Sequence, residues 1–263
     1  PDLSYDQLKA FYQTHYHPDN AVFITYGDID PIVHQQKFEA LALQRFKPIN
    51  QHIEVPLQSS FAAPRRSEQT YQLAEGDDIE KSTHQLMAWV IGDILDPADV
   101  MANHLLASIL LENSASPLQH ALETTELGSS PSPLCGVDDS SRQLVFVCGL
   151  QGCTRNSTEK FEALITATLT QVAEDGMDEA HLTALLDQLE LQQREISGDS
   201  YPYGLQIILS CLATAMHRGK PETALDIDPV LADLREQIKQ PDFVKNLVKR
   251  KLLDNPHRVT VTL

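Results

Sequence analysis

Apolar residues recur in the middle of the chain at spacings typical of a buried helix. Between residues 102 and 111 they occupy one helical face: Leu105, Leu106, Ile109 and Leu110. Pro117 directly after Ser116 is typical of a first-turn proline behind an N-cap, and Gly128 suits the position just past a helix end. The pattern therefore predicts an apolar helix, a short polar break and a second helix that ends at Gly128.

The first 46 residues predict a helix, a short strand and another helix. Ser4 is a suitable N-cap, and the helix that follows should end before Pro18, because a residue preceding proline avoids the α region. Residues 21–26 form a short apolar run typical of a buried strand, and residues 31–46 show helical spacing again.

A polar segment with little periodicity follows at residues 47–66. Pro48, Pro56 and Pro64 interrupt it, which is typical of a linker. Residues 1–46 are too few to bury a core of their own, so we expect them to be the C-terminal end of a preceding domain. Residues 67–263 are then a second domain.

The second domain alternates strands and helices in an order typical of an α+β fold. Predicted strands cover residues 69–73, 84–91, 131–137, 144–150 and 257–263, and residues 131–137 should pair antiparallel with 144–150. Predicted helices begin at Asp96, Ser116, Asn156, Asp178, Tyr201, Val230 and Pro241, and the one from Asp178 should run to Ile196. We expect a mixed, largely antiparallel sheet with helices packed on one side, plus the helix-strand-helix segment of the preceding domain.

Charge and composition exclude several classes of protein. The 263 residues include 20 Lys and Arg against 37 Asp and Glu, a net charge of −17, which repels phosphates and argues against general nucleic-acid binding. A hydrophobic content of 42% argues against disorder, and no apolar run approaches the roughly 18 residues of a membrane span. The chain begins without methionine or a signal peptide, so we expect its natural N-terminus to be missing.

Four cysteines, Cys135, Cys148, Cys153 and Cys211, contain no Cys-x-x-Cys pair. We interpret them as free, mostly buried thiols, with disulfides or a metal site as the alternative. Free thiols indicate the cytoplasm or another reducing compartment.

Candidate catalytic groups all have structural alternatives. His15 and His17 lack a third ligand at useful spacing, and Asp93, Asp96 and Asp99 lack the spacing of a calcium loop. Turn, cap and packing roles are favoured for all five. No nucleophile elbow, phosphate loop or His-Glu-x-x-His motif is present.

For two further groups of residues we favour a structural role over a functional one. Tyr201 and Tyr203 flank a proline at a helix start, where aromatic residues more often staple the helix than contact a ligand. The last predicted helix is basic along one face, which by default is a solvated face: Lys245, Lys249, Arg250 and Lys251. Residue types and spacing alone thus indicate an α+β module without a visible active site.

Three passages together resemble one known family. Residues 5–21, YDQLKAFYQTHYHPDNA, running on to Tyr26-Gly-Asp, resemble the closing helix and strand of a catalytic domain. Residues 113–118, NSASPL, through Leu127-Gly128, with Gly149-Leu-Gln-Gly152, resemble a second domain, and residues 255–261, NPHRVTV, its last strand. The family is the inverzincin zinc metallopeptidases of the pitrilysin and insulin-degrading-enzyme clan, in its presequence-protease branch.

The resemblance implies a fragment of a zinc metalloendopeptidase that degrades unfolded, targeting-peptide-like substrates in a closed chamber. The family's zinc motif, His-x-x-Glu-His, is absent here, so we expect no catalytic residue, no metal and no cofactor in this chain, and zinc in the full-length protein. The implied partners are the peptide substrate and the remaining domains, without nucleic acid or membrane. The implied chamber contacts are Leu110, Leu111, Ser114 and Ser116, with core packing as the alternative for the leucines.

Domains of this family repeat one fold, and the zinc motif lies on the helix equivalent to residues 102–111. Aligned to that motif, His104 keeps the first histidine position, whereas Ala107 replaces the general base and Ser108 the second ligand. Alanine cannot accept a proton, and a neutral serine is a poor zinc ligand. The resemblance thus implies chamber wall and scaffold rather than an active enzyme.

Two alternatives remain open at this point. One is a non-enzymatic scaffold subunit, because catalytically silent subunits of processing and respiratory complexes share the fold. The other is an independent hydrolase that uses carboxylates such as Asp93 and Asp96.

Overall fold

The computed structural model describes residues 3–50, 53–76, 78–195 and 201–263. Their contacts divide the chain into two units, one of Pro1–Pro56 with Ile196–Leu225 and one of Leu57–Glu195 with Asp226–Leu263. The segment Ile196–Leu225 thus groups with the N-terminal residues, although the sequence suggested that it belongs to the second domain. A boundary within residues 47–66 remains a prediction for the full-length protein.

Nine α-helices and six strands lie within the described ranges. The helices are α1 (Tyr5–His15), α2 (Pro31–Leu41), α3 (Pro97–Leu111), α4 (Pro117–Thr124), α5 (Thr158–Asp175), α6 (Glu179–Arg194), α7 (Tyr203–Met216), α8 (Asp228–Gln237) and α9 (Phe243–Val248). The strands are β1 (Arg65–Glu68), β2 (Thr83–Asp93), β3 (Ser130–Pro131), β4 (Gly136–Asp138), β5 (Gln143–Cys153) and β6 (Arg258–Thr262).

The first unit contains α1, α2 and α7. A capping box starts α1, as the serine suggested: the Gln7 backbone N–H donates to Ser4 Oγ at 3.2 Å and the Ser4 N–H to Gln7 Oε1 at 2.8 Å. The strand predicted for residues 21–26 is wrong, because a strand needs a hydrogen-bonded neighbour and the described residues supply none. The helix predicted for residues 31–46 ends at Leu41, and a 3₁₀ turn at Leu43–Arg45 follows.

The second unit is built on one sheet with the order β1-β6-β2-β5-β3, and β4 also pairs with β5. Only the β1–β6 pair is parallel among the described ladders, so the expected mixed, largely antiparallel sheet is confirmed. The strand predicted at residues 69–73 is wrong, since β1 lies directly behind Pro64 at Arg65–Glu68, where it pairs with β6. Its first two residues fall inside the predicted linker.

Alternation along β2 and β5 separates the two faces of the sheet. One face is buried beneath the helices and carries Met87, Trp89, Ile91, Leu144, Phe146, Cys148 and Leu150. The α3 and α5 helices bring their own buried leucines, isoleucines and Phe161 to the same layer. The Trp89 indole Nε1–H donates to the Leu252 carbonyl oxygen at 3.0 Å, so the largest core side chain is also satisfied as a donor.

Two helix ends differ from the sequence expectation. The α4 helix ends at Thr124 rather than at Gly128. Gly128 instead lies against β5, where a Cβ atom would come within 2.9 Å of the Gln151 carbonyl oxygen, so close packing explains the glycine. The predicted capping box at Asn156 does not form either, because the N-cap of α5 is Ser157, one residue later, and its hydroxyl donates to the Thr154 carbonyl at 2.6 Å.

The later helices follow the predicted pattern closely. Asp178 caps α6 by accepting the His181 N–H at 2.9 Å, and Gly176 ends α5 with a φ of 74°. The predicted end of α6 at Ile196 lies outside the described residues. The last predicted helix begins as α9 and continues as a π-helical turn over Lys249–Leu253.

Candidate functional site

The α3 helix lies in the layer above the sheet and is anchored at its first turn. Asp96 is the N-cap, accepting the backbone N–H groups of Ala98 and Asp99 at 3.0 and 3.1 Å, and Pro97 occupies the first helical position. The buried face of this helix is the one that the sequence pattern predicted, with Leu105 and Leu106 at 0% exposure.

The residues aligned with the zinc motif do not fit a metal. The Nε2 atom of His104 lies 3.2 Å from Asp139 Oδ2, while Ala107 and Ser108 offer a methyl group and a neutral hydroxyl. No group of three or more His, Cys, Asp or Glu side chains within the described residues could hold a metal ion. Zinc binding needs three or four such ligands, so no step of metal catalysis can be derived for this helix.

The four predicted chamber contacts lie at the C-terminal end of α3 and in the loop that follows. Leu110 has 0% exposure and packs in the core, whereas Leu111 is partly exposed and Ser114 is exposed. Ser116 is buried, and its hydroxyl accepts the Asn113 N–H at 3.3 Å instead of capping α4. Of the four predicted contacts, only Leu111 and Ser114 therefore offer surface to a peptide.

The second face of the sheet is apolar but partly exposed, a feature that sequence reasoning missed. We call it the open sheet face and define it by the partly exposed residues Leu86, Ala88, Val90, Val145, Val147, Val259 and Val261. Strand register makes it continuous: Ala88 lies opposite both Val147 and Val259. Apolar residues on both faces of β2 were visible in the sequence, but the pattern did not indicate which face the helices cover.

Gly149 allows this face to pack tightly across β2 and β5. A Cβ atom at Gly149 would lie 2.4 Å from Leu86 Cδ2 and 2.5 Å from the Gln85 carbonyl oxygen. Leu86 therefore packs over Gly149, in space that any larger side chain at that position would occupy.

The other candidate groups have structural partners. His17 Nδ1 accepts the Asp19 N–H at 3.2 Å, and the His15 ring stacks on Phe11 with centroids 4.1 Å apart. Asp93 forms an ion pair with Arg142 at 2.9 Å, and Asp99 pairs with Lys251. Together with the capping role of Asp96, these contacts leave no free carboxylate dyad there, and they do not support a carboxylate hydrolase.

The cysteines and the tyrosine pair also behave as structural residues. All four cysteines are free; Cys148, Cys153 and Cys211 are buried, and burial raises the pKa of each thiol, including the partly exposed Cys135. In the first unit, the Tyr26 and Tyr203 rings lie 5.8 Å apart, as expected of a staple at the start of α7. Within the described ranges, no helix is both long and apolar enough to cross a bilayer.

Comparison with known proteins shows which family the chain belongs to. Residues 2–189 match the family model of the peptidase M16 inactive domain. The mitochondrial presequence protease of Xenopus tropicalis is 32% identical over 269 aligned positions, which cover 100% of this chain and 26% of that protein. The chain thus spans about a quarter of the length of the curated relatives it matches.

Solved structures show the same fold. A peptidase M16 inactive domain from Pseudomonas fluorescens aligns over 100% of this chain and 57% of its own, with a TM-score of 0.60 and 20% identity. A protease from Helicobacter pylori aligns over 100% of this chain and 59% of its own, with a TM-score of 0.62 and 15% identity. Sequence, fold and the unfit zinc positions agree, and the chain belongs to the peptidase M16 family through its inactive domain.

Proposed function

We propose that this chain supplies a non-catalytic wall of a peptidase chamber, with the open sheet face turned toward an extended, unfolded peptide. The single observation that carries this is a continuous apolar surface on an inactive peptidase domain, made of residues such as Ala88, Val147 and Val259. Unfolded peptides expose apolar side chains, and the hydrophobic effect that would hold them on an apolar surface is non-directional, so it does not select one sequence.

Zinc and the peptide-cleaving residues then belong to another part of the full-length protein. His104, Ala107 and Ser108 do not suit a metal, whereas the presequence protease of Xenopus tropicalis is named for an activity on presequences. Targeting-peptide-like segments are therefore the substrate class we propose. Leu111 and Ser114 are the proposed contacts at the loop after α3, because both have solvent-accessible surface.

Residues 1–46, which carry α1 and α2, are proposed to be the end of the preceding, catalytic domain. Neither α1 nor α2 has a buried residue, and large apolar side chains such as Phe11, Phe23 and Leu41 are about half exposed or more. Contiguous apolar surface of this kind is typical of a face that another element covers. Amide hydrogen exchange should show α1 and α2 much less protected than α3 and α5, and equal protection would contradict this assignment.

Photo-crosslinking with an unfolded peptide that carries a benzophenone side chain tests whether the open sheet face contacts the peptide. We expect crosslinks, mapped by mass spectrometry, on β2, β5 and β6, and fewer of them in Val147→Asp, which places a charge on the surface. Leu191→Asp is the matched control, since Leu191 is an exposed apolar residue of α6. Circular dichroism confirms that both variants fold.

Two results would contradict the proposal. Crosslinks confined to the helical side, or unchanged in Val147→Asp, would mean that the open sheet face does not meet the peptide. One tightly bound zinc per chain with chelator-sensitive peptide cleavage would mean that this chain is itself catalytic.

A further inference from the structure

A cleft opens on the helical side of the second unit, between the end of α8 and the start of the π-helical turn. Its volume is about 660 Å³, within the range of roughly 300–1,000 Å³ usual for ligand sites. Lys249 and Arg250 line it together with Phe243 and the side-chain amides of Gln240 and Asn246. We call this site the basic cleft.

Lys249 and Arg250 have no acidic partner among the described residues, so both charges are free to meet a ligand. Five arginines and two lysines of this unit form ion pairs: Arg66 with Glu162, Arg142 with Asp93, Arg155 with Glu68, Arg194 with Glu190, Arg235 with Asp187, Lys239 with Glu236 and Lys251 with Asp99. Lys249 and Arg250 are exposed, and the described residues include no carboxylate within ion-pair distance of either. Asp254 also lines the cleft but pairs with neither cation.

The π-helical turn that carries these cations is fixed by hydrogen bonds and an ion pair to neighbouring elements. Lys251 Nζ donates to the Ile91 carbonyl at 2.6 Å and pairs with Asp99, while the Leu252 carbonyl accepts the Trp89 indole N–H. These contacts fix the backbone of the π-helical turn on the sheet. A ligand that binds Lys249 and Arg250 would therefore order only their side chains, which keeps the entropic cost of binding low.

The chemistry of the lining favours a carboxylate-bearing peptide. An arginine fork and a lysine ammonium both pair with carboxylates, and the Gln240 and Asn246 amides can donate to and accept from a peptide backbone. Phe243 is partly exposed and offers one apolar contact. A nucleic acid fits poorly, because two cations neutralise few phosphates and the net charge of −17 repels the rest.

We propose that the basic cleft is a docking site for an acidic segment of a partner protein, whose Asp or Glu carboxylates bind Lys249 and Arg250. The cleft carries two exposed cations on a chain with a net charge of −17, so an acidic segment is attracted to them and repelled by the net negative charge of the chain. The site is formed by helices and is separate from the open sheet face, so it does not depend on the chamber role.

Binding of a fluorescent ten-residue peptide with five glutamates tests the proposal directly. We expect fluorescence anisotropy to show binding to the chain that weakens as salt rises, and a loss of at least about tenfold in affinity in the double variant Lys249→Glu, Arg250→Glu. Lys160→Glu is the matched control, because Lys160 is an exposed lysine of α5 outside the cleft, and it should bind nearly as tightly as the wild type.

Charge-neutral variants protect the test against a folding defect. Lys249→Gln with Arg250→Gln keeps side-chain size and should also weaken binding, with an unchanged circular dichroism spectrum. The proposal is overturned if the acidic peptide does not bind, or if the Lys160 variant loses as much affinity as the cleft variants. It is equally overturned if a ten-residue oligothymidine binds more tightly than the peptide, or if inorganic phosphate displaces the peptide at low millimolar concentration.

Discussion

The Nε2 atom of His104 lies 3.2 Å from the Oδ2 atom of Asp139, which joins the central helix α3 to the loop after β4. The sequence resemblance implied that His104 occupies the position of a zinc-binding histidine in a catalytic domain. Here the imidazole pairs with a carboxylate, and the hydrogen bond from His104 lowers the pKa of Asp139. A position that resembles a metal ligand thus serves as a link between two elements of the fold.

Replacing His104 with alanine should therefore cost stability only where Asp139 is ionised. Because the pKa of Asp139 is lowered in the folded chain, its contribution is present above the unfolded carboxyl pKa of about 3.9 and is lost as pH falls through the folded value. Since Asp139 is half exposed, we expect a loss of about 0.5 kcal/mol at pH 7. Urea unfolding of wild type and His104→Ala at pH 7 and pH 3 measures it, and an equal difference at both pH values would contradict the role of the pair.

Trp89→Phe should destabilise the chain through an unpaired carbonyl. The substitution removes the indole N–H that Leu252 accepts in a fully buried position, so we expect a loss of about 1–3 kcal/mol in the free energy of unfolding. Far-UV circular dichroism in urea is the measurement, since Trp89 is the only tryptophan. Phe146→Leu is the control, because it changes a neighbouring core ring that makes no hydrogen bond and so measures the loss of packing alone. A Trp89→Phe variant as stable as wild type would show that the hydrogen bond contributes nothing to stability.

Asn103→Leu should leave stability unchanged or raise it by about 1 kcal/mol. The Asn103 side chain is fully buried, and its Oδ1 atom has no hydrogen-bond partner among the described residues. Its Nδ2–H donates to the Ile91 carbonyl over a long 3.4 Å, and that carbonyl also accepts from Lys251 Nζ at 2.6 Å, so the substitution leaves no acceptor unpaired. Thermal unfolding measures the change. Destabilisation by more than 1 kcal/mol would mean that Oδ1 has a partner in solution, such as a bound water.

The four thiols should react with an aromatic disulfide reagent in a defined order. Burial raises the pKa of Cys148 and Cys135, which lowers the fraction of reactive thiolate at neutral pH. Cys135 is partly exposed and should react first, whereas Cys148 should react only as fast as the chain unfolds. Absorbance at pH 7.5 with and without urea follows the reaction, and Cys135→Ser identifies the first phase. Labelling of Cys148 at the rate of Cys135 would contradict the buried position.

Much of the fold was predictable because it depends on local chemistry. The caps at Ser4, Asp96 and Asp178 act within one turn, so the residue types alone locate the starts of α1, α3 and α6. Alternation along β5 likewise requires no knowledge of its neighbours. The misfit of Ala107 and Ser108 to a zinc motif was also predictable, since a methyl group cannot bind a metal and a neutral hydroxyl is a poor zinc ligand.

Predictions failed where a residue's role depends on a distant partner. Residues 21–26 have the composition of a strand but no described neighbour to pair with, and Gly128 is a glycine because β5 approaches it rather than because a helix ends there. Neither fact is contained in the local pattern, because hydrogen-bonded pairing and close approach join residues far apart in the chain.

The amino-acid sequence by itself determined the α+β pattern and the side chains at 104, 107 and 108 that do not suit zinc, because periodicity, caps and residue type are local properties. Only the tertiary structure decided which apolar face of β2 the helices cover and which stays open. It also decided that Lys249 and Arg250 line a cleft, with no acidic partner in the part of the chain that the structure describes, while Lys251 is paired with Asp99. Burial and charge pairing depend on long-range contacts, which the order of residues specifies only through the complete fold.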